Sequence, residues 1–405
     1  MTFFKKTIRD VPLGKHTVLV RVDYNVPLAA DGSISDDLRI RASLPTIELL
    51  LKKGCKVVLI SHLGRPEGHD LQFSLEPTAL RLGELLGQPV TFVDDLIGDA
   101  AYQTVRKAPG GSVVMLQNLR FDPREEADDH EFAKAIAKAS QADFFVQDGF
   151  GVVHRAHAST HAITLCLPSV SGLLLEHEYV TITETMEKPK RPLIAVMGGA
   201  KVSDKISLVE RFVGIADKII IGGAMANTFL KYKGVDVGAS KVETDQDATL
   251  DKIYAAARKK VGDATDDFIL LPTDVAVAKS VDADQPREER AIDGIASNEL
   301  ALDIGSKTID RYCSELEAAQ SVIWNGTMGM AELQNFAHGS ARVALTLATH
   351  PKITSIVGGG DTADFVLKWD AKEGGSFTHV STGGGASLDL MAGKKLPGIE
   401  SLMDA

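Results

Sequence analysis

The chain has 405 residues, 44% hydrophobic and 24% charged, which is the balance of a globular protein too long for one ordinary core. Its formal net charge of -11 argues against general nucleic-acid binding. Cys55, Cys166 and Cys313 form no CxxC pair and no ligand spacing with His, which points to reduced thiols in a cytosol rather than to disulfides.

The opening MTFFKKTIRDVP meets charge and proline before any apolar core of signal-peptide length. A repeated grammar follows: a short apolar, β-branched run, a Gly-rich or polar loop, then a segment of helical period. The runs are 16–22, 56–61, 112–116, 142–148, 192–198, 217–223, 268–274, 321–326, 353–359 and 377–384. Their near-continuous apolar character predicts parallel strands covered on both faces. Helices are predicted over Arg41–Lys53, stopped by Gly54, after Glu76, with Pro77 early and Gly87 past the end, and over Asp128–Ala139. The longest uncharged apolar stretch, Ala158–Leu175, is broken by His161, Pro168 and Gly172 and is no membrane span.

The pattern predicts an α/β protein of two Rossmann-like, three-layer α/β/α domains with mainly parallel sheets, joined by a hinge helix. The boundary falls between Ser171 and Pro192, giving domains 1–172 and 173–389, with the connecting helix at 173–188. One more crossover helix in a single large sheet is the alternative at this point. The polar stretch 280–299 reads as a surface excursion.

Unusual residues cluster just after the apolar runs, where open α/β sheets bind ligands. In the first half these are Asp23, Tyr24 and Asn25, then SHLGRP (61–66), QNLRF (117–121) and DGFGVVHRAHAST (148–160). These segments and their neighbours hold Arg21, Arg39, His62, Arg65, Arg120, His154, Arg155 and His157, a set suited to a ligand with several negative charges. In the second half GGAKVSDK (198–205), GGAMANT (222–228), WNGTMG (324–329), GGGDTAD (358–364) and STGGGASLD (381–389) are glycine-rich loops opening helices, suited to phosphates. Lys201 and Lys205 are four apart and share a face if a helix begins at Ser203 or Asp204. Asp361 is placed either to hold Mg²⁺ beside a nucleotide's phosphates or to cap the next helix. No P-loop, protein-kinase signature, GxGxxG after a strand or nucleophile elbow is present, so direct transfer between two bound anions is the chemistry that fits.

In order, RVDYNVPL (21–28), SHLGRPEG (61–68), HRAHAST (154–160), GGAKVSDKI (198–206), GGAMANTF (222–229), WNGTMG, GGGDTA (358–363) and HVSTGGGASL (379–388) resemble the phosphoglycerate kinase family across nearly the whole chain. The resemblance implies reversible phosphoryl transfer from 1,3-bisphosphoglycerate to MgADP, giving 3-phosphoglycerate and MgATP, in glycolysis or its reverse. It implies a phosphoglycerate site of Asp23, Asn25, Arg39, His62, Arg65, Arg120 and Arg155. It implies a nucleotide site of Lys201, Lys205, Gly222, Gly223, Asn325, Glu332, Gly359, Gly360, Asp361 and Thr362, with Asp361 toward the metal and Gly383 to Gly385 toward the phosphates. Arg39, Lys201, Gly360 and Gly383 form the implied catalytic set. The family further implies that 390–405 returns to the first domain, that hinge closure unites the ligands, and that the protein is a cytoplasmic monomer without nucleic-acid or membrane partners. Thr327, Gln147, Gly149 and Gln117 depart from the family's usual Pro, Asn, Ala and Glu. Another small-molecule kinase, or a binding module without turnover, are the competing readings.

Overall fold

In the computed structural model, residues 3–29, 31–282 and 284–405 are described. Met1, Thr2, Ala30 and Ala283, the last inside the 280–299 excursion, lie outside them. The chain forms two compact units, Met1–Val180 with Lys394–Ala405, and Thr181–Gly393. The division falls inside the helix Leu173–Glu187, not at its start.

The first unit is built on strands β1 (Thr17–Arg21), β2 (Lys56–Ile60), β3 (Val90–Val93), β4 (Val113–Leu116), β5 (Phe144–Gln147) and β6 (Ser169–Ser171). They form one parallel sheet in the order β3-β4-β2-β1-β5-β6. Side chains alternate across it, so Val18 and Val20 join a core with Ile47, Leu50 and Leu82, whereas Leu19 joins another with Val105, Phe132 and Ile136. This double burial explains the unbroken apolar runs. The short strands β3 and β6 were not foreseen: each has only three or four residues and no apolar run.

The second unit has β7 (Leu193–Met197), β8 (Lys218–Ile221), β9 (Ile269–Leu270), β10 (Asp274–Ala278), β11 (Glu288–Ala291), β12 (Leu300–Ile304), β13 (Ser321–Asn325), β14 (Thr354–Gly358) and β15 (His379–Val380). Six make a parallel sheet, β15-β14-β13-β7-β8-β9, and three an antiparallel one, β11-β10-β12. The run 268–274 therefore feeds two sheets, and the 280–299 excursion contains strand β11. Its sequence EERA is mostly exposed and carries no apolar period, so only pairing with β10 reveals it. Trp324, Val196, Val322 and Tyr312 anchor one face of the parallel sheet. No helix among the described residues is long and apolar enough to cross a membrane.

The chain's last residues close the first unit. Gly398 N–H donates to the Val153 carbonyl at 3.0 Å, Met403 N–H to Ser169 at 3.0 Å and Lys6 N–H to Met403 at 2.8 Å. Lys5, 6% exposed, donates its ammonium to the carbonyls of Glu400 (2.7 Å) and Leu402 (2.9 Å) and to Asp404 Oδ1 (2.7 Å). Removing that donor strands buried acceptors, so Lys5→Met should lower stability by about 1–3 kcal/mol in urea titrations. An unchanged midpoint would show that packing of Leu396, Ile399 and Leu402 holds the tail without the ammonium.

Candidate active site

In the first unit the strand order turns at β1, flanked by β2 and β5, so their carboxyl ends border one crevice. Asp23 and Asn25 leave β1, His62 and Arg65 leave β2, Arg120 leaves β4 and Arg155 follows β5. Arg39, in the first turn of helix Leu38–Lys52, places Nη1 3.2 Å from Asp23 Oδ2 and donates to the Asn25 carbonyl at 2.9 Å. Asn25 Oδ1 accepts the Gly64 N–H at 2.8 Å, and Arg120 donates to the Gly64 carbonyl at 2.6 Å. Thus Asp23, Asn25, Arg39 and Arg120 are tied into one edge, with His62 Nδ1 4.0 Å from Asp23 Oδ1. Arg65 and Arg155 are exposed beside it, and their guanidinium groups make no hydrogen bond or ion pair among the described residues.

Two consecutive amides brace this edge. Asn118 donates to the carbonyls of Leu63 (2.8 Å) and Phe73 (2.9 Å) and accepts from Leu63 (3.2 Å) and Arg120 (3.0 Å) N–H groups. Gln117 accepts from Leu75 (3.1 Å) and Asn118 (2.8 Å) and donates to Ser74 Oγ (3.1 Å) and Asp94 Oδ1 (2.8 Å). A Glu at 117 could not make the last bond, so this departure matches its surroundings. Gly149 N–H meets Gln147 Oε1 at 3.2 Å, and a Cβ at 149 would sit 3.2 Å from the Asp23 amide.

His62 is 5% exposed, and Arg21 Nη2 lies 3.1 Å from its Nδ1. Burial first, then Arg21, Arg120, Arg39 and His157, hold its pKa well below the usual imidazole value. Burial, then Arg21, likewise brings His157 down to about 4, with Glu126 opposing. Both rings are therefore neutral hydrogen-bonding groups at neutral pH, amid permanently charged guanidinium groups.

In the second unit the order turns between β7 and β13. Over their ends sits Lys205, whose ammonium donates to the carbonyls of Gly198 (2.6 Å) and Asn325 (3.3 Å). Burial pulls its pKa down to about 8, against the opposing charges of Asp361 and Asp204. A 3₁₀ turn, Ser203–Lys205, precedes helix Ile206–Ile215, so Lys201 lies before the helix, exposed, and the shared-face argument does not apply. The Val202 and Ser203 N–H groups at that start are taken by Glu243 Oε2, at 2.7 and 3.0 Å, and are closed to a ligand.

The glycines divide into two kinds. A Cβ at Gly198 would meet the Thr327 carbonyl at 2.1 Å, at Gly222 the Met328 sulfur at 2.6 Å, and at Gly223 the Gly199 amide at 2.6 Å. Gly222 and Gly223 are thus required by loop-on-loop packing. Thr327 contributes its carbonyl to the Gly199 N–H (3.0 Å), which the family's Pro would supply equally. Gly360 and Gly384, in contrast, have no heavy atom within 4 Å of an added Cβ. Gly360 opens helix Gly360–Trp369, whose start has no side-chain cap. Asp361 is exposed in its first turn, whereas Thr362 is buried and accepts the Gly326 N–H at 2.6 Å. Gly359, at φ +90°, lies against the Asn325 amide, which donates to the Gly358 carbonyl at 2.9 Å; Asn325 is buried. Gly383 is buried and accepts from Ala386 at 2.9 Å. Glu332 stands exposed with no hydrogen bond or ion pair among the described residues. Glu125, Ser159 and Glu243 were missed because each acts through contacts between sequence-distant loops; only Ser159 lies in a singled-out segment.

A family model described as phosphoglycerate kinase matches residues 8–394. The chain is 44% identical over 401 residues to a phosphoglycerate kinase of Pelotomaculum thermopropionicum, covering 99% of each. It is 47% identical to one of Gloeobacter violaceus over 412 residues, covering 99% of this chain and 100% of that protein. Among solved structures, phosphoglycerate kinase from Coxiella burnetii superposes with a TM-score of 0.84 at 34% identity, covering 98% of each chain. The chain belongs to the phosphoglycerate kinase family.

The lowered pKa of Lys205 has a measurable sign. Between pH about 8 and the ordinary lysine value the unfolded chain binds the extra proton, so stability should rise with pH across that window. Carbon NMR of labelled lysines should show the Lys205 ε-carbon titrating near 8, charged below and neutral above. A midpoint with the bulk lysines would contradict the assignment.

Proposed function

We propose that the first unit holds the phosphoglycerate end of the reaction and the second the nucleotide, and that the protein transfers a phosphoryl group directly between them. In the forward direction the bond from phosphorus to the acyl oxygen of 1,3-bisphosphoglycerate breaks and a bond to the terminal oxygen of ADP forms, leaving 3-phosphoglycerate and ATP. The observation that carries this reading is the unspent charge of Arg65 and Arg155 at an edge already holding Arg39, Arg120 and neutral His62. Such an edge suits a ligand with a phosphate and a carboxylate. Asp23, whose carboxylate faces Arg39, and Asn25 would orient that ligand's hydroxyl and phosphorylated ends.

On the nucleotide side, Lys205 and the open N–H groups at Gly360 suit phosphate oxygens, and Lys201 is free to meet the group in transit. Gly359, Thr362 and Gly383 shape that cradle from beneath. Gly222, Gly223 and Asn325 form the floor of the pocket, with Glu332 at the ribose. Asp361 fits Mg²⁺: it is an exposed hard oxygen donor beside the phosphate cradle, and among the described residues no cluster of three or more ligating side chains could cage a metal. Magnesium is suited to such a site because it takes one or two carboxylates and completes its shell with waters and substrate phosphates, whose charge it neutralises. Direct transfer needs the two bound ligands within in-line reach and water excluded, and the hinge closure that the family implies would supply both. We read the enzyme as a cytoplasmic monomer acting on small molecules alone, without nucleic-acid or membrane partners.

A coupled assay with 3-phosphoglycerate, MgATP and a dehydrogenase tests the activity; folded protein without turnover would refute it, and turnover on another acid but not phosphoglycerate would favour a different small-molecule kinase. Arg39→Ala should lower kcat on the order of 10²-fold or more with modest change in KM. A rise in KM alone would make Arg39 a uniform binder.

A further inference from the structure

We propose that Glu125 is a positioning residue for the phosphoglycerate pocket: through Ser159 and Arg21 it fixes His62 in one tautomer, with the proton on Nε2 for donation to an anionic ligand. Four groups form the relay, and all are deeply buried: Glu125 and Ser159 at 0% exposure, Arg21 at 1% and His62 at 5%.

Each link has only one sense. The Glu125 carboxylate accepts twice from Ser159, from its hydroxyl at 2.6 Å and its N–H at 3.0 Å. The single hydroxyl proton is thereby committed, so Ser159 Oγ faces Arg21 only as an acceptor, at 2.9 Å from Nε. Arg21 is further fixed by Nη1, which donates to the Val22 carbonyl and reaches Ser61 Oγ at 3.5 Å. Its Nη2 then donates to His62 Nδ1 at 3.1 Å. A guanidinium has no acceptor, so Nδ1 must be the bare nitrogen and Nε2 must carry the proton. The competing tautomer needs an acceptor at Nδ1; the nearest carboxylate, Asp23 Oδ1, is 4.0 Å away. His157 lies 3.9 Å from Glu125 Oε1, and Glu126 pairs with Arg120 at 3.2 Å, so Ser159 is the shortest connection from Glu125.

Glu125→Gln keeps the shape but removes one acceptor. Ser159 then loses one of its two fixed partners, the orientation of Arg21 relaxes, and His62 gains access to the Nδ1–H form. The kinetic consequence rests on His62 meeting phosphoglycerate as proposed above; the tautomer does not.

The test is nitrogen–proton correlation NMR on the full, ligand-free chain with ¹⁵N-labelled histidine, His62 being assigned by loss of its signals in His62→Gln. The wild type should show a protonated Nε2 and a bare Nδ1. Glu125→Gln, checked for folding by its thermal transition, should show mixed tautomer shifts and a KM for 3-phosphoglycerate raised roughly 10-fold, with kcat changed less. Ser159→Ala should do the same where it folds; Glu125→Gln decides the matter where it does not. A proton on Nδ1 in the wild type, or a folded Glu125→Gln with unaltered tautomer, overturns the relay. Mixed tautomers with unchanged KM support the relay and overturn the assignment of His62 to the ligand.

Discussion

In a parallel sheet every strand ends on the same edge, and where strand order reverses, two adjacent loops must part and leave a crevice. Both units are organised around that single constraint, at β1 in one and between β7 and β13 in the other. They meet it with opposite chemistry. The first unit braces its diverging loops with side chains, through the full hydrogen-bonding capacity of Gln117 and Asn118 and the forks of Arg21, Arg39 and Arg120. The second removes side chains altogether, pressing Gly198, Gly222, Gly223 and Gly326 together until no Cβ fits. A lysine then joins the two central strand ends, so a group read as a phosphate ligand also holds the architecture.

The electrostatics of the first unit run against the chain's net charge of -11. Several guanidinium groups converge while the buried His62 and half-buried His157 among them stay neutral, because protonation would add charge to a desolvated, already positive site. The result is an edge whose chemistry suits anions, with arginine charge acting at a distance and uncharged donors available at short range.

Much of this was legible in the sequence for physical reasons. Doubly buried parallel strands read as unbroken apolar runs, and the residues singled out after them stand at the strand ends that border the crevice. What stayed hidden was whatever depends on pairing across the chain. Strand β11 is polar and exposed, so nothing local distinguishes it from a loop. The glycines look alike in sequence, yet Gly360 lies open and Gly223 is locked against Gly199. Glu125 and Glu243 read as ordinary surface acids, because their hydrogen bonds run to loops dozens of residues away.

The return of the C-terminal tail gives the molecule an asymmetric biosynthesis. The second unit is one continuous stretch, whereas the first contains both ends of the chain. During vectorial synthesis the later-made unit has all its residues before the earlier-made one does. The acceptors of Lys5 and the N–H that meets the Val153 carbonyl are made only after the whole second unit, so the loop bearing Arg155 gains this support later than the second unit gains its own residues.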